Sequence, residues 1–153
     1  MFIGRHFYSL DGKGRVAIPH KFRGELGGTN AGRVIVTVSP SDRFTYLDVY
    51  PAAEWEATIQ KILSTPIPGT DPSSVREALL ANYIHPAQEQ TLDSQGRILI
   101  PPEQRQAARL EKDVVFTGDM QRFRIWSRPE WQRYDETAAK DKAKVLTIPG
   151  LWL

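Results

Sequence analysis

The sequence predicts a mainly-β α+β fold. Two tandem units interlock their hairpins into a small, pseudo-symmetric β-barrel flanked by helices. Three observations point there. The stretch "LDGKGRVAIP" (Leu10 to Pro19) returns as "LDSQGRILIP" (Leu92 to Pro101), with Leu, Asp, Gly, Arg, Ile and Pro at matched places. Agreement of that quality within one chain of 153 residues marks a duplicated unit. The surroundings of both copies follow one order: strand, turn, strand, helix, strand, turn, strand, helix. A single unit of roughly 60 residues buries too little surface for comfort, and two sharing one core leave few free sheet edges.

Each element has a local reason. "HFYSL" is aromatic and bulky, as a pleated surface favours. "DGKG" is a turn, because Gly tolerates positive φ and Asp bonds nearby backbone N–H groups. "RVAIP" alternates, with Val16 and Ile18 on one face, and Pro19 ends the strand and opens a helix. In "HKFRGEL", Phe22 and Leu26 form one apolar stripe. "GGTNAG" breaks the chain. "VIVTV" reads as a buried strand, "SPSDR" as a turn and "FTYLDVYP" as the returning strand. Helix "AAEWEATIQKIL" follows, with Trp55, Ile59 and Ile62 on one face. The second copy reads the same way: hairpin "EQTLDSQGRILIP", helix "PEQRQAARL", strands "DVVFTG" and "FRIWS" around "DMQR", and helix "RPEWQRYDETAAKDKAK". Arg43-Phe44 aligns with Arg122-Phe123, and Glu54-Trp55 with Glu130-Trp131, after two loop deletions of about three residues each.

These readings divide the chain into a first unit at 1–64, a linker and helix at 65–84, a second unit at 85–137, and a helix end with an apolar tail at 138–153. The linker is "STPIPGTDPS" and its helix "SVREALLANYI", which belongs to neither hairpin. The tail "KVLTIPGLWL" is too short to fold alone and is expected to dock, for example on a neighbouring subunit.

The formal charge is only +2 and the sequence pI about 9.0, a mild basic bias. Its distribution says more. Residues 1–25 carry Arg5, Lys13, Arg15, Lys21 and Arg23 against Asp11 and Glu25, and residues 94–109 carry Arg97, Arg105 and Arg109 against Glu103. The absence of Cys excludes disulfides, thiolate metal sites and Cys nucleophiles. No apolar run suits a signal peptide or a membrane span, so a cytoplasmic chain with no membrane partner is expected.

Asp11 and Arg15 stand four apart across a tight turn, as do Asp93 and Arg97. On the bland reading each pair is an exposed ion pair that adds little to stability. On the sharper one the Asp orients a guanidinium on a projecting turn, ready for guanine O6 and N7 or for phosphate oxygens. A rigid Arg loses less entropy on binding than a free one. Lys13 and Gln95 hold the same place in the two turns, and both suit a grip on DNA. Gly14 and Gly96 supply the turn conformation.

Nearly the whole chain resembles the MraZ family, bacterial regulators built from two tandem AbrB-like units. The match rests on "MFIGRHFYSLDGKGRVAIP", "TLDSQGRILIP" and "FTGDMQRFRIWSRPEW", and on an Asp-x-x-x-Arg signature at Asp11–Arg15 and Asp93–Arg97. The resemblance implies a swapped-hairpin barrel assembled into a ring of about eight to twelve subunits. It further implies transcriptional control, typically repression, of the division and cell-wall gene cluster through short direct repeats in double-stranded promoter DNA, hence a nucleoid-associated protein. The candidate DNA-binding residues are Arg15, Lys13, Arg97, Gln95, Arg5 and Lys21, with Asp11, Asp93, Gly14 and Gly96 orienting the turns. One departure stands out. Few basic residues lie near the second turn besides Arg97, Arg105 and Arg109, so the second half is expected to contribute less affinity.

Other chemistries find little support. His6, His20 and His85 have no metal-ligand spacing, and no P-loop, GxGxxG or GxSxG motif occurs, so no metal, cofactor or catalytic residue is expected. Trp55, Trp131, Phe44, Phe123 and Trp126 read as core, and Asp135-Glu136 as a solvated helix face. The main alternative is an AbrB-like scaffold that binds a protein, as antitoxins of related folds hold toxins; the apolar tail favours it slightly.

Overall fold

The computed structural model describes residues 1–27 and 32–151. Most of the "GGTNAG" break, and Trp152 and Leu153 of the tail, fall outside the described residues. The first half comprises β1 (Arg5–Ser9), β2 (Arg15–Ala17), α1 (His20–Glu25), β3 (Arg33–Val38), β4 (Leu47–Pro51) and α2 (Ala52–Ser64). Next come α3 (Pro72–Leu79) and a π-helical turn (Leu80–Ile84). The second half repeats the first as β5 (Gln88–Thr91), β6 (Arg97–Leu99), α4 (Pro102–Ala107), β7 (Asp113–Asp119), β8 (Arg122–Ser127) and α5 (Arg128–Ala139), and a 3-10 helix (Lys142–Thr147) follows.

The architecture is α+β, with most strands in one antiparallel sheet of order β1-β7-β8-β4-β3-β5. Exchanging each strand for its counterpart in the other half leaves that order unchanged. Beyond the β3–β4 and β7–β8 hairpins, pairings cross between the halves: β1 with β7, β3 with β5, β4 with β8, and β2 with β6. The expected closed barrel is not what forms. Strands β1 and β5 remain sheet edges, and β2 and β6 leave the sheet to make a two-stranded ribbon of their own. The core is closed by packing rather than by a continuous ladder. Val16 and Ile98 of the ribbon, with Ile18 and Ile100 just beyond it, join Val34, Val36, Leu47, Val49, Val114, Phe116, Phe123 and Ile125 from one face of the sheet in a single buried cluster. Alternation along each strand selects those residues. Phe22 and Leu26 complete this cluster from α1 as the stripe predicted.

The pairing of β4 with β8 corrects the sequence alignment. Leu47 faces Ile125, Asp48 faces Arg124 and Val49 faces Phe123. Phe123 is therefore the counterpart of Leu47, not of Phe44, and Asp48 meets its own counterpart, Arg124, at the centre of the sheet. Phe44 belongs instead to a second cluster with Tyr46, Val115 and Trp126, on the sheet face covered by α5. Trp131 is half-buried against that cluster, and Trp55 against a third formed by Tyr50, Ile59 and Tyr83.

Several element ends also differ from expectation. Strand β4 starts at Leu47 rather than Phe44. In α2 the buried stripe is Trp55, Ile59 and Leu63, and Ile62 is exposed. Asp71 caps α3 by accepting from the Ser73 N–H at 3.3 Å, so the helix opens at Pro72 rather than Ser74. Its continuation is π-helical, closed by His85 N–H to the Leu80 carbonyl at 2.8 Å. Helix α4 stops at Ala107 because Arg109 turns left-handed (φ 55°) and buries Leu110. Helix α5 stops at Ala139, short of the predicted Lys144. Val145, Leu146 and Ile148 of the tail are exposed.

Candidate nucleic-acid interface

The two Asp-x-x-x-Arg turns have the same geometry. In the first, the Asp11 N–H donates to the Arg15 carbonyl at 2.8 Å and the Gly14 N–H to the Asp11 carbonyl at 3.1 Å. Asp11 Oδ1 accepts from the Lys13 and Arg15 backbone N–H groups, each at 2.9 Å, and Oδ2 accepts from Arg15 Nε at 2.7 Å. In the second, Asp93 Oδ1 accepts from the Gln95 and Arg97 N–H groups at 2.9 Å, and Oδ2 from Arg97 Nε at 2.8 Å. The local cause is the sequence itself. Asp bonds the backbone two and four residues on, and Gly14 (φ +84°) and Gly96 (φ +74°) take the left-handed step.

These bonds hold both carboxyls in the ionised state. The Arg15 backbone N–H, then its guanidinium and the Lys13 N–H, bring the Asp11 carboxyl down to about 2. The Arg97 backbone N–H, then its side chain, likewise lowers Asp93. The Asp spends its contacts on Nε and on backbone, which leaves both terminal guanidinium nitrogens of each Arg without a partner among the described residues. The side chains of Arg15 and Arg97 are 35% and 28% exposed, held at one angle yet open to solvent. Lys13 and Gln95 are exposed at the turn tips.

Two further arginines join the turns, each from the opposite half. Ile100 N–H bonds the Gly14 carbonyl and Ile18 N–H the Gly96 carbonyl, both at 2.9 Å, at the ends of the β2–β6 ribbon. Helices α4 and α1 open just beyond, after Pro101 and Pro19. Their second turns carry Arg105 over Gly14 and Arg23 over Gly96, so close that a Cβ on Gly14 would lie 1.9 Å from Arg105 Nη1 and one on Gly96 2.3 Å from Arg23 Nη1. Position along the chain groups Arg105 with the second turn and Arg23 with the first; the structure exchanges them. The signal was present, because Arg23 and Arg105 hold matched places in the duplicated units. Beside the first turn an open cleft of about 910 Å³ is lined by Asp11, Gly12, Arg105, Arg109 and Lys112 among others.

The remaining candidates lie apart. Arg5 sits at the far end of β1, about 20 Å from the first turn at roughly 3.3 Å per residue, where it approaches Asp135 at 4.0 Å and the Trp131 ring. Lys21 is exposed on α1, the helix that covers the second turn rather than the first. His6 is half-buried edge-on against Phe22. Among the described residues no three metal-ligating side chains gather, and no helix is long and apolar enough to cross a membrane.

A family model described as "MraZ protein, putative antitoxin-like" matches residues 1–70 and 83–147, and so includes both turns. The chain belongs to the MraZ family. Among its relatives, the transcriptional regulator MraZ of Mannheimia succiniciproducens is 37% identical over 159 residues, covering 97% of this chain and 100% of that protein. Its namesake in Thermoanaerobacter pseudethanolicus is 39% identical over 134 residues, covering 88% of this chain and 86% of that protein. That of Pseudomonas aeruginosa is 36% identical over 136 residues, covering 89% and 86%. All three names describe regulators of transcription rather than enzymes.

Proposed function

We propose that this chain is a sequence-specific DNA-binding transcriptional regulator of the MraZ type. Its Arg-bearing turns grip short direct repeats in double-stranded promoter DNA, in the cytoplasm and at the nucleoid, and the genes it controls, typically by repression, are those of the division and cell-wall cluster. The observation that carries this reading is the duplicated turn itself. An ionised Asp holds Nε and the backbone, and the free face of the guanidinium matches the paired acceptors of guanine or of a phosphate.

The units at 1–64 and 85–137 each supply one AbrB-like turn. A single turn offers a handful of contacts and binds weakly, with affinity that falls steeply with salt. A ring of identical subunits repeats the turn, so that each bound turn raises the effective concentration of the next. Head-to-tail turns in a ring match direct repeats in DNA. The test is a titration of promoter fragments carrying one, two and three boxes, with the mass of the assembly measured in solution. Affinity is expected to rise by at least about a hundredfold from one box to three. A single box bound as tightly as the array defeats the reading.

A second reading, a protein-binding module, has one observation in its favour. Val145, Leu146, Ile148 and Leu151 of the tail are all exposed apolar residues. Deleting residues 140–153 separates the two. Loss of a protein partner with DNA binding intact favours the second reading, and loss of assembly mass together with DNA affinity favours the first.

A further inference from the structure

We propose that Arg105 and Arg23 are DNA-phosphate contacts, each completing the turn of the opposite half, so that every grip on DNA is built jointly by both halves of the chain. This rests on the DNA-binding reading above and adds residues to the same site. The first observation is placement. Ile100 N–H on the Gly14 carbonyl fixes the start of α4 against the first turn, and Ile18 N–H on the Gly96 carbonyl fixes the start of α1 against the second. Each Arg then lies over a glycine where any side chain would collide with it. The glycines therefore do two things: they adopt the left-handed step, and they leave the space in which a guanidinium sits.

The second observation is uncompensated charge. Among the described residues, neither Arg23 nor Arg105 has a side-chain hydrogen bond or an ion pair. Arg23 Nε is moreover buried without a partner. Withdrawing a guanidinium N–H from water with nothing to accept its hydrogen is unfavourable, and such groups in a folded protein call for a reason. By contrast, Arg122 and Arg124 pair with Asp48, and Arg133 with Glu130. Arg23 and Arg105 lack such a partner at matched places in the duplicated units, each beside a turn. A cation rooted on a helix to the side of an inserted β-turn meets the groove walls, which are sugar and phosphate, rather than base edges. Phosphate supplies an acceptor for the terminal guanidinium nitrogens, which, unlike Arg23 Nε, are not buried.

The test uses the full-length protein and the three-box promoter fragment. Affinity is measured against salt concentration for the parent chain, Arg105→Gln, Arg23→Gln, Arg105→Lys, Arg23→Lys and Arg15→Ala, and a melting curve is taken for each. The Gln variants are expected to bind about three- to thirtyfold more weakly, equally for matched and mismatched boxes. The slope of log affinity against log salt is expected to become shallower by about one for each engaged turn. The Lys variants, which keep the point charge, are expected to recover most of the slope. Slopes and affinities at the parent value in folded Gln variants, with Arg15→Ala still weakening binding, overturn this inference and leave the DNA-binding reading standing. A parent chain that shifts no DNA overturns both.

Discussion

The two turns share one backbone and differ in charge. Asp11 and Asp93 accept the same three hydrogen bonds, with matching distances that agree to within 0.1 Å. The first turn nevertheless presents Lys13 beside Arg15, with Arg105, Arg109 and Lys112 around its cleft, whereas the second presents the neutral Gln95 beside Arg97, with Arg23 above it. Duplication preserved what the backbone requires, an Asp, a Gly and an Arg at set spacing. The side chain at the tip makes no hydrogen bond or ion pair among the described residues and was free to diverge. The first turn is accordingly the stronger electrostatic half of the site.

The largest effect is expected when the two arginines are removed one at a time. Arg15→Ala is expected to weaken binding to the promoter array by about tenfold or more and Arg97→Ala by less, with the melting temperature of each little changed. Gel-shift titrations beside melting curves measure both; equal losses would erase the difference between the turns. Next come the glycines. Gly14→Ala and Gly96→Ala each force a side chain into left-handed backbone, at a cost of about 1–2 kcal/mol, and each displaces an Arg. Gly96→Ala is expected to destabilise more, because its Cβ meets Arg23 at Cδ as well as at the mobile tip. Denaturant titration reads the order.

Exchanging the tip residues gives a smaller, opposite pair of effects. Lys13→Gln is expected to flatten the salt dependence by about one phosphate contact per turn, and Gln95→Lys to steepen it by the same amount. The smallest effect is with pH. A carboxyl whose value is lowered on folding adds stability that is complete above its ordinary value of 3.8 and is lost as pH falls through about 2. The Asp11–Arg15 contact is therefore expected to survive at pH 4 and open toward pH 2. NMR titration of the Asp11 carboxyl carbon tests this; a midpoint near the ordinary value would mean the contact is not held.

A second contrast between the halves lies on the axis that relates them. There Asp48 faces Arg124, and Arg122 and the Tyr83 hydroxyl close on the same buried carboxylate at 3.6 and 2.5 Å. Burial pushes the Asp48 carboxyl upward, and the two guanidiniums and the hydroxyl pull it back. Two identical chains would set like residues against each other at such a point. Joining the copies in one chain allowed them to become opposite charges. Gln104 and Phe22 show the same freedom: at matched places, Phe22 packs on Phe2 and Phe123, whereas Gln104 donates to the carbonyls of Val36 and Pro86.

Much of this was readable beforehand, and for a physical reason. Strand alternation, the Asp-x-x-Gly-Arg turns and the helix-opening prolines depend on neighbours within a few residues, so Val16, Ile18, Phe22 and the Asp–Arg pairs fall where their spacing places them. What tertiary structure decided depends on partners far along the chain. The strands cross between halves, the ribbon leaves the sheet instead of closing a barrel, and Arg23 and Arg105 cover the turns of the opposite unit. Spacing records how a residue sits relative to its own element. The choice between two similar strands as a partner is made by the core that both must bury, and only the folded chain makes that choice.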